Sequence, residues 1–315
     1  MKKAFICIVI FLLAGLHSSG QTVPRFNPDT LLTVRIDSLV TIKSTRLTVE
    51  SFINEIISDS SFYEAFRLMK KYNFTAEDQI YTYDKKNKVI GKIYRKILHK
   101  NSGPQKMQIL EKKDEGEVYK NNGKYKLYTV EMFDYIFMNA YNSGYTPSAP
   151  ITGQKGENNE SYKDKLKTLL FSPGKPVDGI PFVSKKTQIF SANMRQYYDY
   201  AFYSGTYLDS IPVYRFKVTV KPGLSAWTED GLMIKELTTI FDKRNFQILG
   251  RYVDMKYDNM AFDFDVQMNI ELGYFDNNEV LLPTKISYQG NWDIPFKRQE
   301  RASFLILHKG YSSGG

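Results

Sequence analysis

The chain has 315 residues, with 42% hydrophobic, 15% aromatic and 24% charged residues, a formal net charge of +9, a single Cys and three His. That much bulky apolar material excludes a disordered chain, the low Gly and Pro content excludes a fibrous one, and the length leaves room for one large or two small domains. The lone Cys7 lies in an N-terminal apolar run, so no disulfide framework, Cys-ligated zinc, iron–sulfur cluster or Cys nucleophile is expected in the rest of the chain.

The start is that of a leader. Met1-Lys2-Lys3 is basic, Ala4 to Leu16 is apolar, and Ser18-Ser19-Gly20 supplies the small residues a leader peptidase requires. Residues 1–20 are therefore expected to be a signal peptide cut between Gly20 and Gln21, leaving a periplasmic or secreted protein. Cys7 sits inside the apolar run and not at the cut, so no lipid anchor is expected. No later stretch reaches the roughly 20 apolar residues of a membrane-spanning helix. The basic residues of the mature chain are scattered among acids, as in Lys112-Lys113-Asp114-Glu115, so a nucleic-acid partner is not expected.

Residues 21–47, with Pro24 and Pro28, are expected to form an extended, irregular segment, followed by one domain over 48–315. Thr48 is placed to cap a helix carrying Phe52, Ile53, Ile56 and Ile57 at helical spacing, and Ser60 to cap a second with Phe62, Phe66 and Met69 on one stripe. Lys70-Lys71 suit its carboxyl end. Gln79 to Asp84 and Val89 to His99 predict a hairpin, with short strands near Lys106 to Glu111 and Gly123 to Tyr128 and a helix from Thr129 to about Tyr141. The Gly-, Ser-, Pro- and Asn-rich stretch 142–162 predicts a mobile loop, and a short helix is expected near Lys163 to Leu170. Ser172 to Pro181 has turn chemistry without the Lys and Ser/Thr of a phosphate cradle.

The carboxyl third carries the clearest pattern. Phe262, Phe264, Val266, Met268, Ile270 and Leu272 alternate with Asp263, Asp265, Gln267, Asn269 and Glu271, which predicts a strand with one apolar face and one solvated face. Similar segments at 197–203, 211–221, 234–242, 247–257, 280–289 and 302–308 make about seven strands joined by short Asn- and Gly-bearing turns, with no room for crossover helices. The predicted fold is α+β: a long curved antiparallel β-sheet, a half-open barrel, wrapped around amphipathic helices. Full burial of six large side chains on one strand is worth on the order of 10 kcal/mol, so something must cover that face.

In this arrangement the chain resembles the LolA/LolB-type family of periplasmic proteins. The resemblance rests on the strands Ile211 to Lys221, Met233 to Asp242, Gln247 to Tyr257, Phe262 to Leu272 and Leu281 to Tyr288, with Glu236-Leu237, Phe241-Asp242-Lys243, Arg251-Tyr252 and Leu282-Pro283-Thr284 as local phrases. It implies a half-open barrel that binds acyl chains or other hydrophobic ligands against its helices, or an envelope protein that senses partners. This chain is longer than the lipoprotein carriers and has an additional region at about 75–195.

Reactive groups are scarce. His99 and His308 lie far apart, no Gly-x-Ser-x-Gly elbow occurs, and the carboxylate pairs Asp263/Asp265, Glu229/Asp230 and Asp254/Asp258 are expected on solvated strands and turns. Glu229-Asp230 beside Trp227, and the cluster Tyr197, Tyr198, Tyr200 and Tyr203, are alternative contact surfaces for a sugar, calcium or a protein. The expected function is non-catalytic, without metal or cofactor: carriage of a hydrophobic small molecule or lipid, with Phe262, Phe264, Val266, Met268, Val253 and Met255 lining the seat and Phe62, Phe66 and Met69 covering it. The alternatives are an interaction module for another envelope protein and, further off, a carbohydrate-active hydrolase.

Overall fold

A computed structural model describes residues 34–39 (backbone only), 47–102, 107–138, 171, 174, 186–258, 263–275, 280–293 and 299–313. Among the described residues eleven strands form one antiparallel sheet in the order β1-β5-β6-β7-β8-β9-β10-β11-β2-β3-β4. They are β1 (Val34–Leu39), β2 (Tyr72–Tyr83), β3 (Val89–His99), β4 (Met107–Gly116), β5 (Tyr198–Tyr207), β6 (Ile211–Val220), β7 (Ile234–Asp242), β8 (Ile248–Asp258), β9 (Asp263–Phe275), β10 (Val280–Asp293) and β11 (Glu300–Ser313). From β5 to β11 every strand pairs with the next in sequence, as the absence of crossover helices requires. The sheet is open, because its end strands β1 and β4 do not pair with each other.

Three segments differ from the sequence expectation. The segment 21–47 was expected to be irregular, but it contributes β1, which pairs with β5 through Val34↔Tyr207 and Leu39↔Tyr203. Gly123 to Tyr128 was expected to be a strand and makes only an isolated bridge, Tyr119↔Tyr125, because a helix begins at once. Ser60 makes no side-chain cap, and Asp59 takes the role by accepting from the amides of Ser61 (3.0 Å) and Phe62 (3.3 Å). The expected loop 142–162, the helix near 163–170, Phe262 and the leader lie outside the described residues.

Helix α1 (Val49–Ser58) begins in a capping box in which Thr48 and Ser51 exchange side-chain-to-backbone bonds. Helix α2 (Ser61–Leu68) runs into a 3-10 turn, Met69–Lys71, and α3 (Tyr128–Phe133) continues as a π-helical turn, Asp134–Met138. The cap of α3 comes from across the chain. Glu300 at the start of β11 accepts from the amides of Tyr128 (2.9 Å) and Thr129 (2.7 Å), placing a carboxylate at the positive end of the helix. Two further short helices are α4 (Ala192–Arg195) and α5 (Ala226–Gly231).

Strand parity and register define two faces. One face collects Phe202, Phe216, Leu237, Val253, Met268, Tyr288 and Phe304 from successive strands, each opposite or diagonal to the next. The helices meet this face through aromatic anchors. Phe52 of α1 stacks on Phe216 with ring centroids 4.9 Å apart, α2 contacts β8 and β10, and Phe133 of α3 stacks on Phe304 at 3.8 Å. The face that carries these contacts is the helix-side face.

The opposite face is also buried over the central strands, which corrects the expectation of a solvated polar face. Gln267, Asn269 and Glu271 on β9 are all buried, as are Arg215, Thr238 and Ser287 on neighbouring strands. The cause is a bend. Tyr207 on β5 donates to the carbonyl of Leu272 on β9 at 2.6 Å, although four strand spacings, about 19 Å, would separate those strands in a flat sheet. Tyr207 shares the parity of Arg215 and Asn269, so the bend turns the polar face inward between β5 and β9.

Charge is buried on the helix-side face of β2 and β3 as a matched set. Arg95 grips Asp78 through both Nε (2.9 Å) and Nη2, and donates also to Asp134 (2.8 Å) and to the Tyr125 hydroxyl (3.1 Å), tying the hairpin to the π-helical turn. Arg95→Met leaves two carboxylates without their cation, and urea denaturation should show a loss of about 3–5 kcal/mol; a loss below 1 kcal/mol would contradict the assignment. His308 on β11 lies edge-on to Phe74, which stacks on His99 at 4.6 Å. Burial holds the His308 ring down from its ordinary 6.5 to about 4. The folded state therefore favours the neutral ring, and its contribution to stability is complete above about pH 6.5 and lost as pH falls toward 4. His308→Leu should reduce the pH 7 to pH 4 stability loss by about 3 kcal/mol, and identical pH profiles for the two proteins would refute this.

Candidate functional site

The expected ligand-lining residues come together. Val253 and Met255 on β8 face Met268 and Val266 on β9 in register, and Phe264 stacks on Trp292 of β10 at 5.0 Å. All of these except Trp292, which is partly buried, are buried on the helix-side face. Phe62, Phe66 and Met69, from α2 and the turn after it, are buried as well, and α2 contacts both β8 and β10. Phe66 and Tyr63 also meet the ring of Phe171 at 4.9 and 5.1 Å. The result is an apolar layer between α2 and the middle of the sheet. It lies on the side opposite the inward-turned polar face.

One cation lies in this layer, unmarked by any charged partner. Arg251 has the same strand parity as Val253 and Met255, is 2% exposed, and carries the ring of Phe62 above its guanidinium at 4.5 Å. Its Nη1 donates to the carbonyl of Phe171 at 2.7 Å, whereas Nε and Nη2 have no hydrogen-bond partner among the described residues. Burial lowers its pKa to about 10, with the Asp59 carboxylate opposing at a distance. Asp59 is already engaged in capping α2. Directly opposite Arg251 on β7 is Thr239, which is fully buried with an unpartnered Oγ1. In the sequence Arg251 falls within a strand pattern and next to Tyr252. The signal that marks it is its parity: an Arg at an apolar position of an alternating strand.

On the inward-turned polar face, several charges and amides pair with each other. Asn269 donates to Glu271 at 2.8 Å, Lys285 pairs with Glu271 at 3.1 Å, Gln267 donates to Asp254 at 3.3 Å and Lys217 pairs with Glu236 at 3.1 Å. These bonds are those of a structural polar interior.

The other sequence candidates are dispersed. Asp263 and Asp265 share a face of one strand and are partly buried, and Asp263 is held above the usual carboxylate range by burial and then by Asp258 opposite it. Glu229 and Asp230 are exposed on α5 beside Trp227, which is 89% exposed. The tyrosines are divided by strand parity: Tyr198 donates to Ile234 O and Tyr200 to Ile189 O, while Tyr203 points to the opposite face. His99 and His308 lie on the same face on either side of Phe74, and Nδ1 of His99 bonds Tyr72 O at 3.0 Å. Among the described residues no group of three or more His, Cys, Asp and Glu is placed to hold a metal ion, and no helix is long and apolar enough to cross a membrane.

No protein-family model, no curated protein and no solved structure matches the chain.

Proposed function

We propose that the chain is a non-catalytic, exported binding protein of the cell envelope, which holds a hydrophobic or acyl-bearing ligand in the layer between α2 and strands β8 to β10. The observation that carries this reading is the nature of the cover. The helix in contact with β8 and β10, α2, is only eight residues long, well below the roughly 12–15 residues at which an isolated helix becomes even marginal in water. Its position therefore depends on the packing of Phe62, Phe66 and Met69, and the methylenes of an acyl chain offer the same kind of contact to the same surface. The LolA/LolB-type pattern of leader, short amphipathic helices and antiparallel meander supports the same reading, as does the finer picture of a half-open barrel around helices.

A second reading, an interaction module, is favoured by one feature. Among the described strands β4 stands at the sheet edge and pairs with β3 alone, and it exposes Ile109 and Leu110, so it presents an edge to which another chain can add a strand. Native mass spectrometry of the purified protein separates the two. A mass excess that is released as lipid on denaturation is the expected result. A bare monomer mass with a concentration-dependent dimer, abolished by Ile109→Lys, would replace the first reading with the second.

A further inference from the structure

Among the described residues two buried arginines, Arg95 and Arg251, lie on the helix-side face of the sheet, one paired with acids of the chain and the other not. Arg95 presents its Nε–Nη2 edge to one oxygen of the Asp78 carboxylate, Oδ2, and Nη2 donates to Asp134 as well, so the edge through which a guanidinium binds oxyanions is filled from within the chain. Arg251 has the same edge open. An isolated buried cation costs several kcal/mol unless it is paired, and Phe62 stacking and one carbonyl bond satisfy only a part of the group. Thr239, its direct cross-strand neighbour, adds a second buried polar atom without a partner. Two independent unpaired groups, side by side inside an otherwise apolar layer, form a donor set rather than a packing accident. A cross-strand pair brings their Cβ atoms to about 5 Å, so the two side chains leave adjacent positions of the same face.

We propose that the Nε–Nη2 edge of Arg251 and the Thr239 hydroxyl receive the anionic head of the ligand, a carboxylate or phosphate oxyanion, while its apolar tail lies along Val253, Met255 and Met268. This rests on the reading of the layer as an acyl site and adds the charge of the head group to it. The lowered pKa of Arg251 accords with a cation whose anion is supplied from outside the chain. Phe62 would close over the ion pair and Phe171 O would fix the guanidinium plane.

The test compares a fluorescent polyene fatty acid with its methyl ester, on the full chain and on Arg251→Met and Thr239→Val. The wild type should bind the acid about ten- to a hundred-fold more tightly than the ester, the range expected of a buried charge-assisted hydrogen bond. Arg251→Met should lose that preference and keep its ester affinity, and Thr239→Val should weaken acid binding alone. Arg251→Met is expected to fold, because an apolar isostere relieves an unpaired buried charge, and circular dichroism with a melting curve checks this. Equal affinity of the wild type for acid and ester, or a preference that survives Arg251→Met, overturns the anion site and leaves the acyl reading standing. If neither lipid binds, the acyl reading falls. Inorganic phosphate then decides for the anion site, since it must raise the wild-type Tm and leave that of Arg251→Met unchanged, and no shift in either removes the site as well.

Discussion

The structure depends on covering one continuous apolar face that runs across strands contributed by most of the chain. A single antiparallel sheet has no second sheet to bury it, and among the described residues the helices that contact this face are short. Each is anchored by one large ring: Phe52 on the β5 to β7 segment, Phe62 on β8 and Phe133 on β11. Aromatic side chains suit this task because each buries a large area from one backbone position. Phe52 is the extreme case. It touches the rings of Phe202, Tyr214, Phe216, Phe241 and Phe246, so one helical residue serves three strands and the turn between β7 and β8. Phe246 reaches it from a backbone with φ of 63°, a conformation that a bulky residue adopts only when its surroundings compensate the strain.

The two faces of the central strands achieve burial by different means. On the helix-side face, the apolar layer excludes water and leaves little tolerance for charge, which is why Arg95 is surrounded by Asp78, Asp134 and Tyr125. On the other face, the bend fixed by Tyr207 encloses polar side chains that pair among themselves, as Glu271 does with Asn269 and Lys285. Arg251 conforms to neither pattern. It is a cation in the apolar layer with a stacked ring, one carbonyl and no acid, and it is the point at which the demands of folding alone do not explain the residue.

Much of the fold was legible in the sequence because its strongest signals are local. The period of two in β9, the Thr48 cap and the short Asn-bearing turns each report on a few neighbouring residues, and the strands, α1 and the meander follow from them. Long-range features were not legible. Glu300 caps α3 from 171 and 172 residues away, Tyr207 bonds a strand far from its own in sheet order, and β1 is fixed by its pairing with β5 and not by its own composition. The burial of Asn269 and Glu271 could not be inferred from alternation, which assigns polar residues to a face but says nothing of what encloses that face. For the candidate site, the apolar residues were legible as a stripe. Arg251 and Thr239 were not, since their significance lies in bonds they do not make.

The central claim, that the middle of the sheet is covered on both faces, is tested most directly by paired cysteine labelling at Met268 and Asn269, neighbours that point to opposite faces of β9. In a chain with Cys7 replaced by Ser, Met268→Cys and Asn269→Cys should both react with a maleimide only through opening of the structure, at least about 100-fold more slowly than in denaturant. Rapid labelling of Asn269→Cys with protection of Met268→Cys would mean a sheet solvated on its polar face, and would contradict the account.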